Sequence, residues 1–188
     1  MRRTNKEMVT LRKVESRSDR KEIKKIFLEA FPPEERPPYR ILCRKARKET
    51  VGFDGVYDGD KLVGMTYVVK GYGIAYVFFL AIKHEERGSG YGSQALKLLK
   101  EKYKDSRLFL ALEQQDETAK NYSQRKKRHE FYQRCGLVDM PYRIKEGTVV
   151  YDVMGTGGEV SPDEYKRLIE DYLGKIMSRF VDMRFMNK

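Results

Sequence analysis

The sequence of 188 residues predicts a fold in which a β-sheet packs against helices, of the α/β or α+β class. Runs with strand periodicity and runs with helix periodicity alternate along most of the chain. Ile74–Ile82 is apolar almost throughout, as expected for a strand covered on both faces. Tyr91, Ala95 and Leu98 then follow at the spacing of one helix face. A chain of this length buries roughly 70% of its unfolded surface, so it needs no disulfide or metal to hold a core.

The individual elements follow from local signals. The predicted strands are residues 8–14, 51–57, 62–69, 74–82, 108–112, 138–144 and 149–154. The predicted helices are one capped by Ser18, one from 39 to 48, one from Tyr91, one through Phe131 and Tyr132, and one opened by the capping box Ser161–Glu164. The basic tail, residues 174–188, fits a helical extension or disorder. We therefore expect a single domain over residues 1–188, with a core at about 8–154 and a C-terminal helical extension at about 159–188.

Composition excludes several classes of protein. No stretch approaches the ~18 apolar residues of a membrane span, and the N-terminus lacks the apolar region of a secretory signal. Two cysteines, Cys43 and Cys135, are too few for a disulfide framework. These features predict a soluble cytoplasmic protein. The net charge of +11 favours an anionic partner, whether nucleic acid, anionic lipid or a phosphorylated small molecule, although charges spread over a solvated surface give the same total.

A glycine-rich loop connects the apolar strand to the helix that begins near Tyr91. Gly88, Gly90 and Gly92 permit unusual backbone angles and allow several amides to point into one concavity. The positive end of the following helix lies behind these amides, so the loop predicts a phosphate or pyrophosphate site. Arg87 can add a charged fork to a phosphate oxygen. The spacing fits neither the Rossmann dinucleotide motif nor the P-loop.

The spacing Arg-x-x-Gly-x-Gly, from Arg87 to Gly92, resembles the coenzyme A loop of the Gcn5-related N-acetyltransferase (GNAT) family. A second motif, Phe131-Tyr132-x-x-x-Gly136-Leu137, is similar to the family's Phe-Tyr-x-x-x-Gly-Phe, with Leu137 in place of an aromatic residue. Both occur in the family's order, over about residues 8–154. Glutamate on the fifth strand and a basic helix before Phe-Tyr make a variant pattern that resembles uncharacterised bacterial members of the family. The resemblance implies an α+β (α/β/α-like) fold. Its central sheet would be mixed and mostly antiparallel, with splayed central strands, followed by a C-terminal helix.

The resemblance also implies the reaction, which is direct transfer of an acetyl group from acetyl-coenzyme A to an acceptor amine. The strand before the loop would bind the pantetheine arm and the thioester oxygen through the backbone amides of Leu80, Ala81 and Ile82. The pyrophosphate would bind the loop, formed by Arg87, Gly88, Ser89, Gly90, Tyr91 and Gly92. One departure is Arg125, which stands where the family often has an asparagine that contacts the pantetheine; Asn121 lies four residues earlier.

Four residues are candidates for proton transfer and acceptor binding. Tyr132 is the candidate general acid, because a phenol titrates near ~10 and a thiol near ~8.5, so tyrosine can protonate the departing thiolate. Phe131 and Tyr132 could instead be an aromatic core pair. Glu113, at a strand end, is the candidate general base; the alternatives are a salt-bridge partner or a water chain. Glu34 and Glu35, in a proline-rich loop, are candidates for binding the acceptor ammonium, or else belong to a solvated loop.

Two other functions compete with the transferase. A regulator could keep the fold and bind acyl-coenzyme A without turnover. A nucleic-acid-binding protein could use the basic runs at residues 125–128 and 44–48, but no aromatic residues alternate with those charges as a stacking platform requires, so nucleic acid is the least favoured partner. His84 and His129 lack metal-ligand spacing, and we expect neither a metal nor a membrane partner. The C-terminal helix and tail are, by position, candidate elements of a homodimer.

Overall fold

The computed structural model describes residues 9–33, 36–174 and 183–188. Its contacts divide the chain into two compact units. The first unit is Met1–Val68 with Phe79–Lys102, and the second unit is Val69–Phe78 with Tyr103–Lys188. No helix within the described ranges is both long enough and apolar enough to cross a membrane.

Among the residues that the structure describes, the first unit holds four strands in the hydrogen-bonded order β1-β2-β3-β4 and three helices, with β3 and β4 continuing into the second unit. The strands are β1 (Val9–Lys13), β2 (Val51–Asp58), β3 (Lys61–Gly71) and β4 (Ile74–Ile82). The helices are α1 (Arg17–Ala30), α2 (Tyr39–Lys45) and α3 (Tyr91–Lys102). Strands β1 and β2 are antiparallel, with Val9 opposite Asp58.

Helix α1 begins two residues before the predicted cap. The side chain of Ser16 accepts a hydrogen bond from the Asp19 amide at 2.9 Å, so Ser16 and not Ser18 is the N-cap. Both serines precede the apolar positions, and the bond to Asp19 decides between them. The helix buries Ile23, Ile26 and Phe27, and the Phe27 ring meets the ring of Phe79 edge-on at 5.1 Å.

Helix α3 is attached to β2 at both of its ends. The Tyr91 hydroxyl, at the first residue of α3, donates a hydrogen bond to Asp58. The Lys102 ammonium, at the last residue, lies 2.6 Å from a carboxylate oxygen of Asp54, which is only 2% exposed. Ala95 packs between these ends on Val56 and Val63. We refer to the two polar contacts, Tyr91–Asp58 and Lys102–Asp54, as the α3 anchors.

In its described part, the second unit contains the strand order β4-β5-β7-β6-β8 and two helices. Its further elements are β5 (Arg107–Glu113), α4 (Tyr122–Arg134), β6 (Val138–Glu146), β7 (Val149–Thr156), α5 (Pro162–Leu173) and β8 (Met183–Asn187). The pairings of β5 with β7, β7 with β6 and β6 with β8 are antiparallel, but β4 and β5 are parallel. Their ladder runs only from Ile74–Arg107 to Tyr76–Phe109, although both strands continue, as expected of splayed central strands. The predicted mixed, mostly antiparallel sheet is confirmed.

The C-terminal segment differs in part from its prediction. Helix α5 follows the predicted capping box between Ser161 and Glu164. Residues 183–187, however, form strand β8 and not a helical extension, pairing antiparallel with β6 from Glu146–Met183 to Tyr142–Asn187. The Phe185 ring packs against the rings of Tyr142 and Tyr165, with centroids 5.7 and 6.0 Å apart. A nonlocal pairing of this kind leaves little trace in the local pattern of the tail.

Candidate active site

The glycine-rich loop lies in the first unit, between a 3₁₀ turn at His84–Glu86 and helix α3. Gly88 and Gly90 have φ angles of 82° and 84°, in the left-handed region that favours glycine. Gly92 lies inside α3 and has no positive φ. Two of the three glycines are therefore required by the backbone, while Gly92 keeps the helix start free of a side chain.

The start of α3 presents amides that its own helix does not use. The first closed turn is the bond from the Gln94 amide to the Gly90 carbonyl, at 3.1 Å. The amides of Tyr91 and Gly92 precede that turn and so have no acceptor within the helix. Together with the aligned peptide dipoles, they favour a negative charge in front of the loop.

Arg87 joins this loop to the end of β4. Its side-chain Nε donates to the Ile82 carbonyl at 3.2 Å, and its backbone amide donates to the His84 carbonyl at 3.2 Å. One residue earlier, Glu86 forms an ion pair with Lys61, at the start of β3. These contacts fix the path of the chain into the loop and leave the exposed Arg87 guanidinium beside the glycines.

The three residues predicted to hold the pantetheine arm end strand β4. Leu80 and Ile82 pack against the buried cluster that includes Val63 and Ala95, whereas Ala81 is buried on the opposite face. The neighbouring strand approaches here very closely. A methyl group at Gly64 would lie 2.5 Å from the Ala81 carbonyl oxygen, so only glycine fits at this point of β3.

Gly64→Ala is therefore expected to displace the backbone of β4 at Ala81. We expect a loss of about 1–3 kcal/mol in the free energy of unfolding, because the added methyl meets backbone and cannot be accommodated by a rotamer change. Thermal unfolding and titration with acetyl-coenzyme A measure the two effects. The matched control is Gly55→Ala, whose methyl would meet only the side chains of Tyr57 and Leu62. If Gly64→Ala and Gly55→Ala lost the same amount of stability and of affinity for acetyl-coenzyme A, the close contact between Gly64 and the Ala81 carbonyl would be contradicted.

Tyr132 lies near the end of α4 in the second unit. Its ring is half-buried and meets the Phe131 ring edge-on, with centroids 5.0 Å apart. Burial raises the pKa of Tyr132 to about 12, while the charge of Arg128, one turn earlier on the helix, acts in the opposite direction. The phenol consequently keeps its proton at neutral pH, which is the state that a general acid needs.

Glu113 is held by two arginines of α4. Its Oε1 lies 2.7 Å from Arg125 and its Oε2 3.3 Å from Arg128. Arg125 is further fixed by Asn121, at 2.8 Å, and by the Gln114 carbonyl, at 3.0 Å. Because Arg128 lies one turn before Tyr132, the structure places both predicted proton-transfer residues around a shared arginine.

The comparisons with known proteins decide the family. Residues 20–137 match the family model described as the acetyltransferase (GNAT) family, which is more than half of the chain. The chain belongs to the GNAT acetyltransferase family. It is thus an acyltransferase by family membership, and the resemblance inferred from the two sequence motifs is confirmed. No match was found among curated proteins.

Solved structures show the same fold for this GNAT chain. A structure assigned to a GNAT acetyltransferase from Bacteroides thetaiotaomicron is similar with 20% identity and a TM-score of 0.66, over 90% of this chain and 98% of the other. An aminoglycoside 6'-N-acetyltransferase complexed with coenzyme A gives 14% identity and a TM-score of 0.65, over 82% and 99%. The ribosomal-protein-S18-alanine N-acetyltransferase from Escherichia coli gives 16% and 0.58, also over 82% and 99%. At these identities the likeness concerns the fold alone.

The other predicted positions in the GNAT chain have varied outcomes. Glu34 and Glu35 lie outside the described residues. His129 is buried and contacts Asp139 at 3.1 Å, which gives it a partner within the second unit. In the described part of the chain, no three histidine, cysteine or acidic side chains group as a metal site would require.

Glu146 is an acidic residue that neither sequence motif contains. The structure places it at the end of β6, half-buried. Burial raises the pKa of its carboxyl group. The alternation Tyr142, Ile144, Glu146 along one strand is a signal that could have identified it, since the first two members are buried.

Proposed function

We propose that this GNAT acetyltransferase transfers the acetyl group of acetyl-coenzyme A directly to a primary amine of a small molecule or peptide. The observation that carries the proposal is the loop before α3, where two glycines with left-handed φ angles adjoin helix amides that have no acceptor within the helix, as an anion site requires. The fold neighbours that are named for their acceptors, an aminoglycoside and a ribosomal protein, act on amines of these two kinds.

The loop and the end of β4 would bind the cofactor. Amides between Arg87 and Gly92 would hold the pyrophosphate, with the Arg87 guanidinium adding charge. Amides of Leu80, Ala81 and Ile82 would bind the pantetheine arm and the thioester oxygen. Fixed amide donors stabilise the developing oxyanion by a few kcal/mol each, because they need not reorganise during the reaction.

The chemistry then requires two proton transfers. The neutral amine nitrogen attacks the thioester carbonyl carbon, a carbon–nitrogen bond forms, and the carbon–sulfur bond breaks. The Tyr132 hydroxyl would give its proton to the departing thiolate, and a base would take one from the nitrogen. In this mechanism no acetyl group becomes attached to the protein.

Glu113 is the proposed base, acting through the oxygen that is held less closely. Oε1 is engaged by Arg125 at 2.7 Å, but Oε2 has the longer contact of 3.3 Å with Arg128, whose side chain is 42% exposed. A carboxylate oxygen has more than one lone pair, so Oε2 can accept a proton directly or through water.

Glu113→Gln is expected to lower kcat about 100-fold, the contribution typical of general base catalysis. It should also lower the free energy of unfolding by about 1–3 kcal/mol, because it leaves two arginines without their partner. The pH dependence of kcat and thermal unfolding measure these effects. The matched control is Glu130→Gln on α4, the helix that carries the two arginines, where the acid contacts Arg134 at 3.9 Å. A lower stability with unchanged kcat would identify Glu113 as an ion-pair anchor alone.

The function is tested by titrating the protein with acetyl-coenzyme A and then measuring thiol release with a panel of primary amines. Micromolar binding together with amine-dependent thiol release supports the transferase. Binding without turnover of any amine would favour the regulator. No binding by the folded protein would contradict the cofactor site.

The proposal also covers the cellular location and the oligomeric state of the enzyme. We place it in the cytoplasm, as the composition suggests. A homodimer that uses α5 and the tail is proposed on their position alone, and light scattering across a concentration series would measure it.

A further inference from the structure

Helix α4, which carries Tyr132, buries few of its side chains. Of its thirteen residues, all of which the structure describes, only His129 is buried. Helix α5 of the same unit is of similar length and buries four side chains, those of Tyr165, Leu168, Ile169 and Tyr172. Packing of an apolar face is what usually fixes a helix on its sheet. Contacts of another kind must therefore set the position of α4.

The face of α4 that contacts the sheet is polar. Four side chains recur on one helix face at the i, i+3, i+4 and i+7 positions, namely Arg125, Arg128, His129 and Tyr132. Arg128 contacts Glu113, the last residue of β5, at 3.3 Å. His129 contacts Asp139, near the start of β6, at 3.1 Å. Because polar contacts are directional, the orientation of this helix depends on where its partners lie.

Arg125 attaches the first turns of α4 to the end of β5, and each of its three guanidinium nitrogens has an acceptor. Nε donates to the Asn121 side chain at 2.8 Å, Nη1 donates to the Gln114 carbonyl at 3.0 Å, and Nη2 lies 2.7 Å from Glu113 Oε1. The Gln114 amide in turn donates to the Val150 carbonyl of β7 at 2.9 Å, so this acceptor is fixed to the sheet. We call Arg125 and its three acceptors the Arg125 bridge.

The Arg125 bridge takes the place of an ordinary helix cap. Asn121 is the N-cap residue of α4, and an asparagine there usually accepts a hydrogen bond from an amide of the first turn. In α4 the Asn121 side chain makes no such bond, and its Oδ1 accepts from Arg125 instead. The start of the helix is thus attached to β5 through a side chain that is only 17% exposed.

We infer that Arg125 is a positioning residue, which holds α4 in the orientation that Tyr132 needs to act as the proposed acid. The inference rests on the proposed function, because it concerns the geometry of that acid. Tyr132 lies seven residues after Arg125, about two helical turns or roughly 10 Å along the axis. A change of tilt at the first turns therefore displaces the Tyr132 hydroxyl. A displacement of about 1 Å can lower a rate by about 100-fold.

Arg125→Lys is the variant that tests this role. It keeps a positive charge beside Glu113 but replaces a planar fork with a single nitrogen, which cannot reach three acceptors at once. We expect kcat to fall about tenfold or more, while the dissociation constant of acetyl-coenzyme A stays within a few-fold of wild type. The matched control is Lys126→Arg, the reverse exchange at the next residue, whose side chain is exposed. This control should keep the wild-type kcat.

A double-mutant cycle shows whether Arg125 acts through Tyr132. In the Tyr132→Phe background, Arg125→Lys should lower kcat less than about threefold, because the acid that it positions is already absent. A role in stability alone would lower kcat by the same factor in both backgrounds. Hydrogen exchange checks the fold: amides of α4 should exchange faster in Arg125→Lys than in wild type, whereas those of β7 should be unchanged.

Two results would overturn the inference: a wild-type kcat in Arg125→Lys, or an equal loss of kcat in the two backgrounds. Hydrogen exchange separates this failure from that of the proposed function. If an amine is acetylated and kcat does not depend on Arg125, the transferase remains and the positioning role is wrong. If no amine is acetylated but α4 exchanges faster in Arg125→Lys than in Lys126→Arg, the Arg125 bridge holds the helix and the proposed function is wrong.

Discussion

Replacing Gly90 with glutamate is expected to abolish acetyl-coenzyme A binding while the protein stays folded. Gly90 has a φ of 84°, and a residue with a side chain is about 1–2 kcal/mol less stable in such a left-handed conformation. The new carboxylate would also stand where the pyrophosphate is proposed to bind. Together these effects should weaken binding at least 100-fold, or about 3 kcal/mol, in a calorimetric titration.

The control for this variant is Gly73→Glu. Gly73 also has a positive φ, 71°, and open space around its Cα, but it belongs to the β3–β4 turn in the second unit. Gly73→Glu therefore introduces similar backbone strain and the same charge as Gly90→Glu. The affinity of Gly73→Glu for acetyl-coenzyme A should nevertheless stay close to that of wild type. If Gly90→Glu kept its affinity, the anion site would have to lie elsewhere in the chain.

Tyr132→Phe is expected to reduce kcat about 100-fold or more, because the departing thiolate loses its proton donor. The dissociation constant of acetyl-coenzyme A should stay within a few-fold of wild type, since the ring remains. With the pKa of Tyr132 raised to about 12, its deprotonation should cause no decline in wild-type kcat between pH 7 and about pH 10.

Steady-state kinetics with any accepted amine measure this effect. Tyr122→Phe, at the first residue of the same helix, removes a hydroxyl from α4 without touching the proposed acid. If Tyr132→Phe turned over at the wild-type rate, Tyr132 would be the aromatic packing residue that the sequence left open as an alternative.

The sequence predicts best those features that are encoded by neighbouring residues. Strand β4 has the predicted bounds, because nine apolar residues are followed directly by charge and glycine. The capping box of α5 needs only Ser161 and Glu164, three positions apart. The left-handed glycines of the loop likewise reflect a local pattern, since Gly88 and Gly90 stand between a strand and a helix.

Features that depend on distant partners were predicted less well. Strand β8 exists because it pairs with β6, about forty residues earlier in the chain, and its own five residues do not indicate this. Arg125 departs from the family pattern, and only the structure shows that it binds Glu113 and the Gln114 carbonyl.

The α3 anchors have a consequence for the speed of cofactor capture. Tyr91 is fastened to Asp58 and Lys102 to Asp54, so the helix that carries the anion site is already seated on β2 in the free protein. A preformed site loses little conformational freedom when its ligand arrives. Encounter by diffusion, rather than assembly of the helix around the cofactor, should therefore set the association rate.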